Sequence, residues 1–337
     1  MLIPEIFEKL SNQTVLFITT KNLDYLRNTQ EINLLRGHAA HVDVIGSKKS
    51  SYLFRLISVY RRLATTSFKR YNVVFIGFAP QLIIPFFSWK LKGKTVFEDF
   101  FISLYDTFVF DRKKISPKSL IAKLLYRLDY KTIHAADAII SDTRADSRYF
   151  SKTFNMDSKM LQVLYLEADT EYYKPQPLAE KPTDKFTVLY FGSILPLQGI
   201  EIILECARIM SDHDNIAFDI IGPVEKKLMK QYGSLPNTRF TDWLPQKDLA
   251  DRIARSDLCL AGHFSSEIDK ASRTIPGKAY IYRAMEKPMI LGDNPANHEL
   301  FQEKNSSIFY VQMGSAPKLK EKILFAMDQL GYKGGNK

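Results

Sequence analysis

Short apolar runs alternate with amphipathic stretches along the whole chain, and midway the alternation stops and starts again. A strand buried on both faces reads as a continuous apolar run, and parallel neighbours need covering helices between them. The pattern therefore predicts α/β architecture built on parallel sheets. Residues 14–19, 41–45, 72–77, 95–98, 137–140 and 161–166 read as strands of a first domain. Spacings of three and four mark helices over 25–35, 53–63, 120–134 and 145–153.

Prolines and polar residues cluster from Tyr173 to Asp184, where apolar periodicity disappears. Strand patterns then resume at 187–191, 218–221, 258–260, 288–291 and 308–310. A chain of 337 residues exceeds the size at which one core usually stops growing. We divide it into a Rossmann-like domain over 1–175, a linker over 176–184 and a second Rossmann-like domain over 185–337. Ligands of open α/β sheets bind beyond the carboxyl ends of the strands, so two such domains facing a central cleft suit a two-substrate reaction.

Composition removes several classes. With 45% hydrophobic and 25% charged residues the chain is globular, and acids near its N-terminus replace the basic region of a secretion signal. Residues 73–89 are the most apolar, but Pro80, Gln81 and Pro85 interrupt them, predicting a strand and then a helix instead of a membrane span. Cys206 and Cys259 lie in apolar segments and read as buried thiols, which fits a reducing cytoplasm. The formal charge is +10, and residues 1–175 hold 26 Lys and Arg against 17 Asp and Glu. This basic first half suits an anionic membrane surface or a phosphorylated acceptor, although a solvated surface accounts for the same charges. No nucleic-acid-binding module accompanies it.

Three segments of the second domain suit an anionic ligand. Residues 192–200, from Gly192 through Ser193, Gln198 and Gly199, link the first strand to a helix over 200–210, where close backbone approach and free N–H groups favour phosphate. Trp243 and Leu244 follow a short strand and offer a surface for a planar base. In residues 270–280, Arg273 and Lys278 flank a Pro-Gly helix entry and are expected to converge on a diphosphate. In the first domain, residues 98–112 leave the fourth strand. Asp99 and Asp106 are candidate catalytic groups there, with Ser103, Tyr105 and Arg112 as acceptor contacts; each Asp can equally cap a helix or pair with a cation. His263 is a further catalytic candidate. Asp212-His213-Asp214 sits in a polar turn, and the histidines show no metal-ligand spacing.

Taken in order, these segments resemble the family 4 glycosyltransferases of the GT-B fold. Residues 167–175 are similar to that family's inter-domain signature. The Pro-Leu-Gln-Gly turn, the Trp-Leu-Pro segment, the Lys-Ala-Ser-Arg-Thr-Ile-Pro-Gly-Lys run and the Lys-Pro-Met-Ile-Leu-Gly-Asp segment follow in family order. The stretch Ser103 to Arg112 resembles a subgroup. The resemblance implies a nucleotide-sugar donor held mainly by the second domain, a glycan or lipid-linked acceptor on the first, net retention at the anomeric carbon and no obligatory metal or other cofactor. It further suggests surface polysaccharide or glycoconjugate synthesis at the inner face of a membrane, without a span.

Departures accompany it. The family's diphosphate-binding Arg and Lys fall on Ser193 and Gln198, and its two glutamates fall on Arg273 and Ile281. Donor recognition must be rearranged, with Arg273 and Lys278 available to restore positive charge. Little length follows the helix over 319–330 for the family's crossover helix. A GT-B-like sugar-nucleotide epimerase and a non-catalytic partner subunit remain alternatives.

Overall fold

The computed structural model describes residues 4–176, 184–301 and 307–332. It divides into two compact units, the boundary falling between Glu167 and Ala168. Most of the predicted linker, residues 177–183, lies outside the described residues.

The first unit runs α1 (Glu5–Glu8), β1 (Thr14–Asn22), α2 (Leu26–His38), β2 (His41–Ser47), α3 (Tyr52–Thr65), β3 (Val73–Phe78), α4 (Ile84–Leu91), β4 (Thr95–Asp99), α5 (Leu120–Ile133), β5 (Ala138–Ser141), α6 (Arg144–Phe154) and β6 (Leu161–Val163). Its strands pair in parallel in the order β2-β1-β3-β4-β5-β6. The first crossover runs one way across the sheet and the later ones the other. Right-handed connections therefore put α2 on one face and α3 to α6 on the other. The two cores follow this division. Ile32 and Leu35 of α2 pack with Val15, Phe17 and Phe75, while Val59, Leu63, Phe87, Ile133 and Phe150 pack with Leu16, Ile18, Val74 and Ile76. Alternation along β1 and β3 supplies both faces, as strand geometry requires.

The second unit runs β7 (Phe186–Phe191), α7 (Ile200–Ile209), β8 (Ile216–Ile221), α8 (Lys226–Tyr232), β9 (Thr238–Thr241), α9 (Gln246–Arg255), β10 (Leu258–Gly262), α10 (Lys270–Arg273), α11 (Gly277–Ala284), β11 (Met289–Gly292), α12 (Pro295–Leu300), β12 (Ile308–Val311) and α13 (Ala316–Gln329). The parallel order β12-β11-β10-β7-β8-β9 is that of a dinucleotide-binding fold, with its topological switch between β7 and β10. Both cysteines are buried and unoxidised, and burial pushes each thiol up to about 12. Sequence and structure differ mainly at ends. The strand expected over 161–166 stops at Val163, and the edge strand β9 is explicit.

Arg27 of α2 ties the first unit together. Its Nε and Nη2 donate to Asp99 at 2.8 and 2.9 Å, its Nη1 donates to the Leu164 carbonyl, and Asp142 lies 3.3 Å away. Glu31 stands 3.7 Å from Nε, and burial, followed by the charge on Asp99, pushes its carboxyl well above the usual range. The guanidinium thus joins α2 to the ends of β4, β5 and β6. Removing one member of such a buried set leaves unpaired charge behind. Arg27→Met is expected to destabilise the unit by about 3–5 kcal/mol. Chemical denaturation of the variant, read against wild type, checks this; an unchanged midpoint would contradict it.

Candidate active site

The segment leaving β4 is organised by a residue the sequence did not single out. Asp129 of α5, fully buried, accepts from Ser103 Oγ at 2.7 Å, the Tyr105 amide at 2.8 Å, the Leu104 amide at 3.3 Å and Gln81 Nε2 at 2.9 Å. Burial raises its carboxyl, while these four bonds pull the other way. Ser103 in turn accepts from the Asp106 amide at 2.9 Å and opens a π-helical turn over Asp106–Asp111. The polar pattern that drew attention to Ser103 is thus a buried turn closed on α5. Spacing alone could not pair residues 26 apart.

The structure does not bring all of the first-domain candidates out to solvent. Asp99 is buried with both carboxylate oxygens on Arg27, so it serves as that cation's counter-ion; accepting a proton would break the pair. Asp106 is buried too and accepts from Tyr149 at 3.1 Å. Tyr105 is half-buried, its ring edge-on to Phe110 and Tyr126, and Arg112 is exposed, 3.9 Å from Asp111.

In the second unit the candidates gather at the carboxyl end of the sheet, around the switch between β7 and β10. The turn after β7 needs glycine at 192, because a Cβ there would lie 2.5 Å from Gln198 Oε1 and 2.7 Å from the Tyr190 hydroxyl. Gln198 is buried and folded back over this turn. Its Oε1 accepts from the Tyr190 hydroxyl and from Lys278 Nζ, the latter at 2.6 Å. Gly199, with φ of 67°, then starts α7 in a conformation that disfavours side chains. Ser193 is half-buried beside it.

Lys278 is the unusual member. It is buried, its ammonium lies 4.7 Å from the centre of the Tyr190 ring, and no carboxylate among the described residues pairs with it. Burial pulls its pKa down to about 7. The position where the resemblance places a lysine holds Gln198, yet a lysine reaches that position from α11. Arg273, at the end of α10, is also buried, but its Nε is bonded to Asp269 at 2.8 Å, so the two expected phosphate cations have different partners. His263 follows β10 and is buried, with Nδ1 3.2 Å from the Thr274 carbonyl. Burial and the charge on Lys278 hold it down to about 3, so it is neutral at physiological pH and a weak base. Trp243 and Leu244 follow the edge strand β9, and the indole is 56% exposed. No group of His, Cys, Asp and Glu suited to a metal is found among the described residues.

Residues 185–329 match the family model for glycosyl transferases group 1. No curated protein matches the chain. Among solved structures, the fold resembles sucrose-phosphate synthase of Thermosynechococcus elongatus, with a TM-score of 0.67 at 12% identity over 95% of this chain and 91% of that one. HepE of Anabaena in complex with UDP gives 0.64 at 14% identity, covering 95% and 91%. The catalytic domain of starch synthase IV from Arabidopsis thaliana, bound to ADP and acarbose, gives 0.64 at 11% identity, covering 96% and 93%.

A buried cation without a counter-ion costs stability, so Lys278→Met is expected to stabilise the unliganded protein by roughly 1–4 kcal/mol. The sign with pH follows from the lowered pKa. From about 7 up to the unfolded value of 10.5 the unfolded chain binds more protons, so wild-type stability gains as pH rises. The variant's advantage should be largest below pH 7 and shrink toward pH 10, as thermal melts across that range will show. A variant less stable at every pH would make Lys278 a structural residue. Residues 185–329 thus match the glycosyl transferases group 1 model, within a chain that has the two-unit, Rossmann-like architecture of the GT-B fold.

Proposed function

We propose that the chain is a retaining family 4 glycosyltransferase that moves a sugar from a nucleotide-sugar donor to a glycan or lipid-linked acceptor. The observation that carries this reading is the buried Lys278, held by Gln198 against the glycine turn with no carboxylate among the described residues to neutralise it. A diphosphate supplies the missing charge. Charge-assisted bonds to phosphate oxygens are about twice as strong as neutral ones, and the start of α7 adds backbone donors. Similar structures point the same way, since UDP and ADP are bound in two of them.

In this reading the unit after the linker holds the donor. Gly192, Ser193, Gln198 and Gly199 cradle the diphosphate, Lys278 neutralises it, Arg273 lends a second cation, and Trp243 with Leu244 receives the base. Phosphate charge is met by protein cations, so the reaction needs no resident metal or other cofactor. As the bond from the anomeric carbon to the diphosphate oxygen breaks and the acceptor oxygen bonds to that carbon, negative charge builds on the leaving diphosphate, and Lys278 stabilises it most at that moment. The first unit holds the acceptor, with Tyr105 and Arg112 as contacts. Asp106 is the proton acceptor in this scheme; Asp99 and Ser103 position that segment, and the neutral His263 acts as a hydrogen-bonding group.

We place the enzyme in surface polysaccharide or glycoconjugate synthesis, peripherally at the inner face of an anionic membrane. The basic first half supports this, and no helix among the described residues is long and apolar enough to cross a membrane.

The test is calorimetric titration with a panel of nucleotide sugars, whose diphosphate diesters do not themselves titrate near neutral pH. The preferred donor should bind with constant affinity below pH 7. Above it affinity should fall, by at most about tenfold per unit, as Lys278 must take up a proton on binding. Lys278→Met should abolish binding. A donor present at about 100 times its Kd stabilises the native state by roughly 2.7 kcal/mol, which thermal shift reads independently. Failure of every nucleotide sugar to bind would overturn the reading, and turnover without any acceptor would favour an epimerase.

A further inference from the structure

The outer face of the helical layer α3–α4–α5 has a composition that a soluble surface does not need. Between Asp43 and Asp137 the sequence contains seventeen Lys and Arg and five acids. All five acids, Glu98, Asp99, Asp106, Asp111 and Asp129, are buried. Every exposed charge on this stretch is therefore positive. The same stretch concentrates exposed apolar side chains: twelve of the seventeen large ones among the described residues lie from Tyr52 to Tyr130. Leu53 and Phe54 project from α3, Phe86 and Trp89 from α4, and Leu120 and Leu124 from α5, each about 60% exposed or more.

These helices are neighbours on one side of the first sheet. Tyr60 of α3 meets Phe86 at a ring separation of 5.9 Å, and Lys90 donates to the carbonyls that end α3, at Ala64 and Thr66. The turn before α4 is bonded to α5 through Gln81 and Asp129. Beside Ile57, a concavity of about 250 Å3 is lined by Lys49, Arg61 and Arg62, and among the described residues the Arg62 guanidinium is engaged by carbonyls, those of Val44 and Gly46. Apolar side chains, a tryptophan and cations without acids match a bilayer interface, where rings sit at headgroup depth and cations meet anionic lipid. An aqueous protein partner of acidic surface would meet the charges but leave the apolar tips unsatisfied.

We infer that the α3–α4–α5 face inserts its apolar side chains into a bilayer containing anionic phospholipid, with Lys49, Arg61 and Arg62 receiving a lipid phosphate. The inference rests on the membrane-surface reading above and adds a mode to it. Charge alone gives attachment that salt removes, because screening shortens its range to a few ångströms near 1 M. Insertion leaves a salt-resistant part.

Trp89 and Trp243 are the only tryptophans, so the full chain carrying Trp243→Phe reports on Trp89 alone. Vesicles of phosphatidylcholine with about one-third phosphatidylglycerol should shift its emission to the blue, and brominated acyl chains should quench it. Part of the binding should persist in 0.5 M salt, and Leu53→Ser with Phe54→Ser should lower that part at least about tenfold, while the same pair of substitutions in the chain with Trp243 intact retains the nucleotide-sugar thermal shift. Binding that salt abolishes completely, without a blue shift, overturns insertion and leaves the electrostatic membrane reading standing. No binding to either vesicle overturns both. A concentration-dependent dimer that shields Trp89 without lipid assigns the face to a second copy and overturns insertion as well.

Discussion

A cation taken out of water must be met by an anion or by well-aimed dipoles, and each unit of this chain buries such cations. In the first, Arg27 is surrounded by Asp99, Asp142 and Glu31, and its planar fork takes Asp99 with two bonds. Its charge is satisfied within the fold, so it acts as a rivet. In the second, Lys278 finds the Gln198 amide oxygen and an aromatic face but no carboxylate among the described residues. Dipoles of this kind offset part of the desolvation cost and leave the rest for a ligand to remove. The same physical problem, solved completely in one place and partly in another, separates a structural cation from a binding one.

The sheet topology explains why the incomplete solution sits where it does. In the order β12-β11-β10-β7-β8-β9, the crossovers diverge between β7 and β10, the position where open α/β sheets take their ligands. Lys278 is carried on α11, which follows β10, and Gln198 on the turn after β7, so the two sides of the switch are joined by one hydrogen bond. Gly192 permits this because its missing Cβ is the space Gln198 occupies. The cation has moved from the turn to the facing helix, with a glutamine as its guide.

The helical layers are equally unequal. On the α2 side of the first sheet, Ile32 and Leu35 pack on the strands and the buried Arg27 and Glu31 lie beside them. The α3–α4–α5 side turns apolar groups both inward to Ile18, Val74 and Ile76 and outward to solvent. Amphipathic helices normally need one apolar stripe. The second, outward stripe is the one that the proposed insertion into a bilayer would bury.

The sequence by itself determined the class and order of the elements. Buried parallel strands cannot read as anything but short apolar runs, and residues 187–191, 218–221 and 258–260 fall within β7, β8 and β10. It also marked the glycine turn and the Lys-Ala-Ser-Arg run as chemically loaded, because glycine and proline punctuation shows locally. Partnership was not legible. Asp129 closing the turn at Ser103, Arg27 claiming Asp99 across 72 residues and Lys278 reaching Gln198 across 80 are contacts that only packing decides. Local pattern records what a backbone can form, whereas the charge state and availability of a side chain depend on what the fold places against it. For that reason Asp99, a catalytic candidate in the linear reading, is a buried counter-ion, and Lys278, one basic residue among forty-seven Lys and Arg, is a buried cation with no carboxylate partner among the described residues.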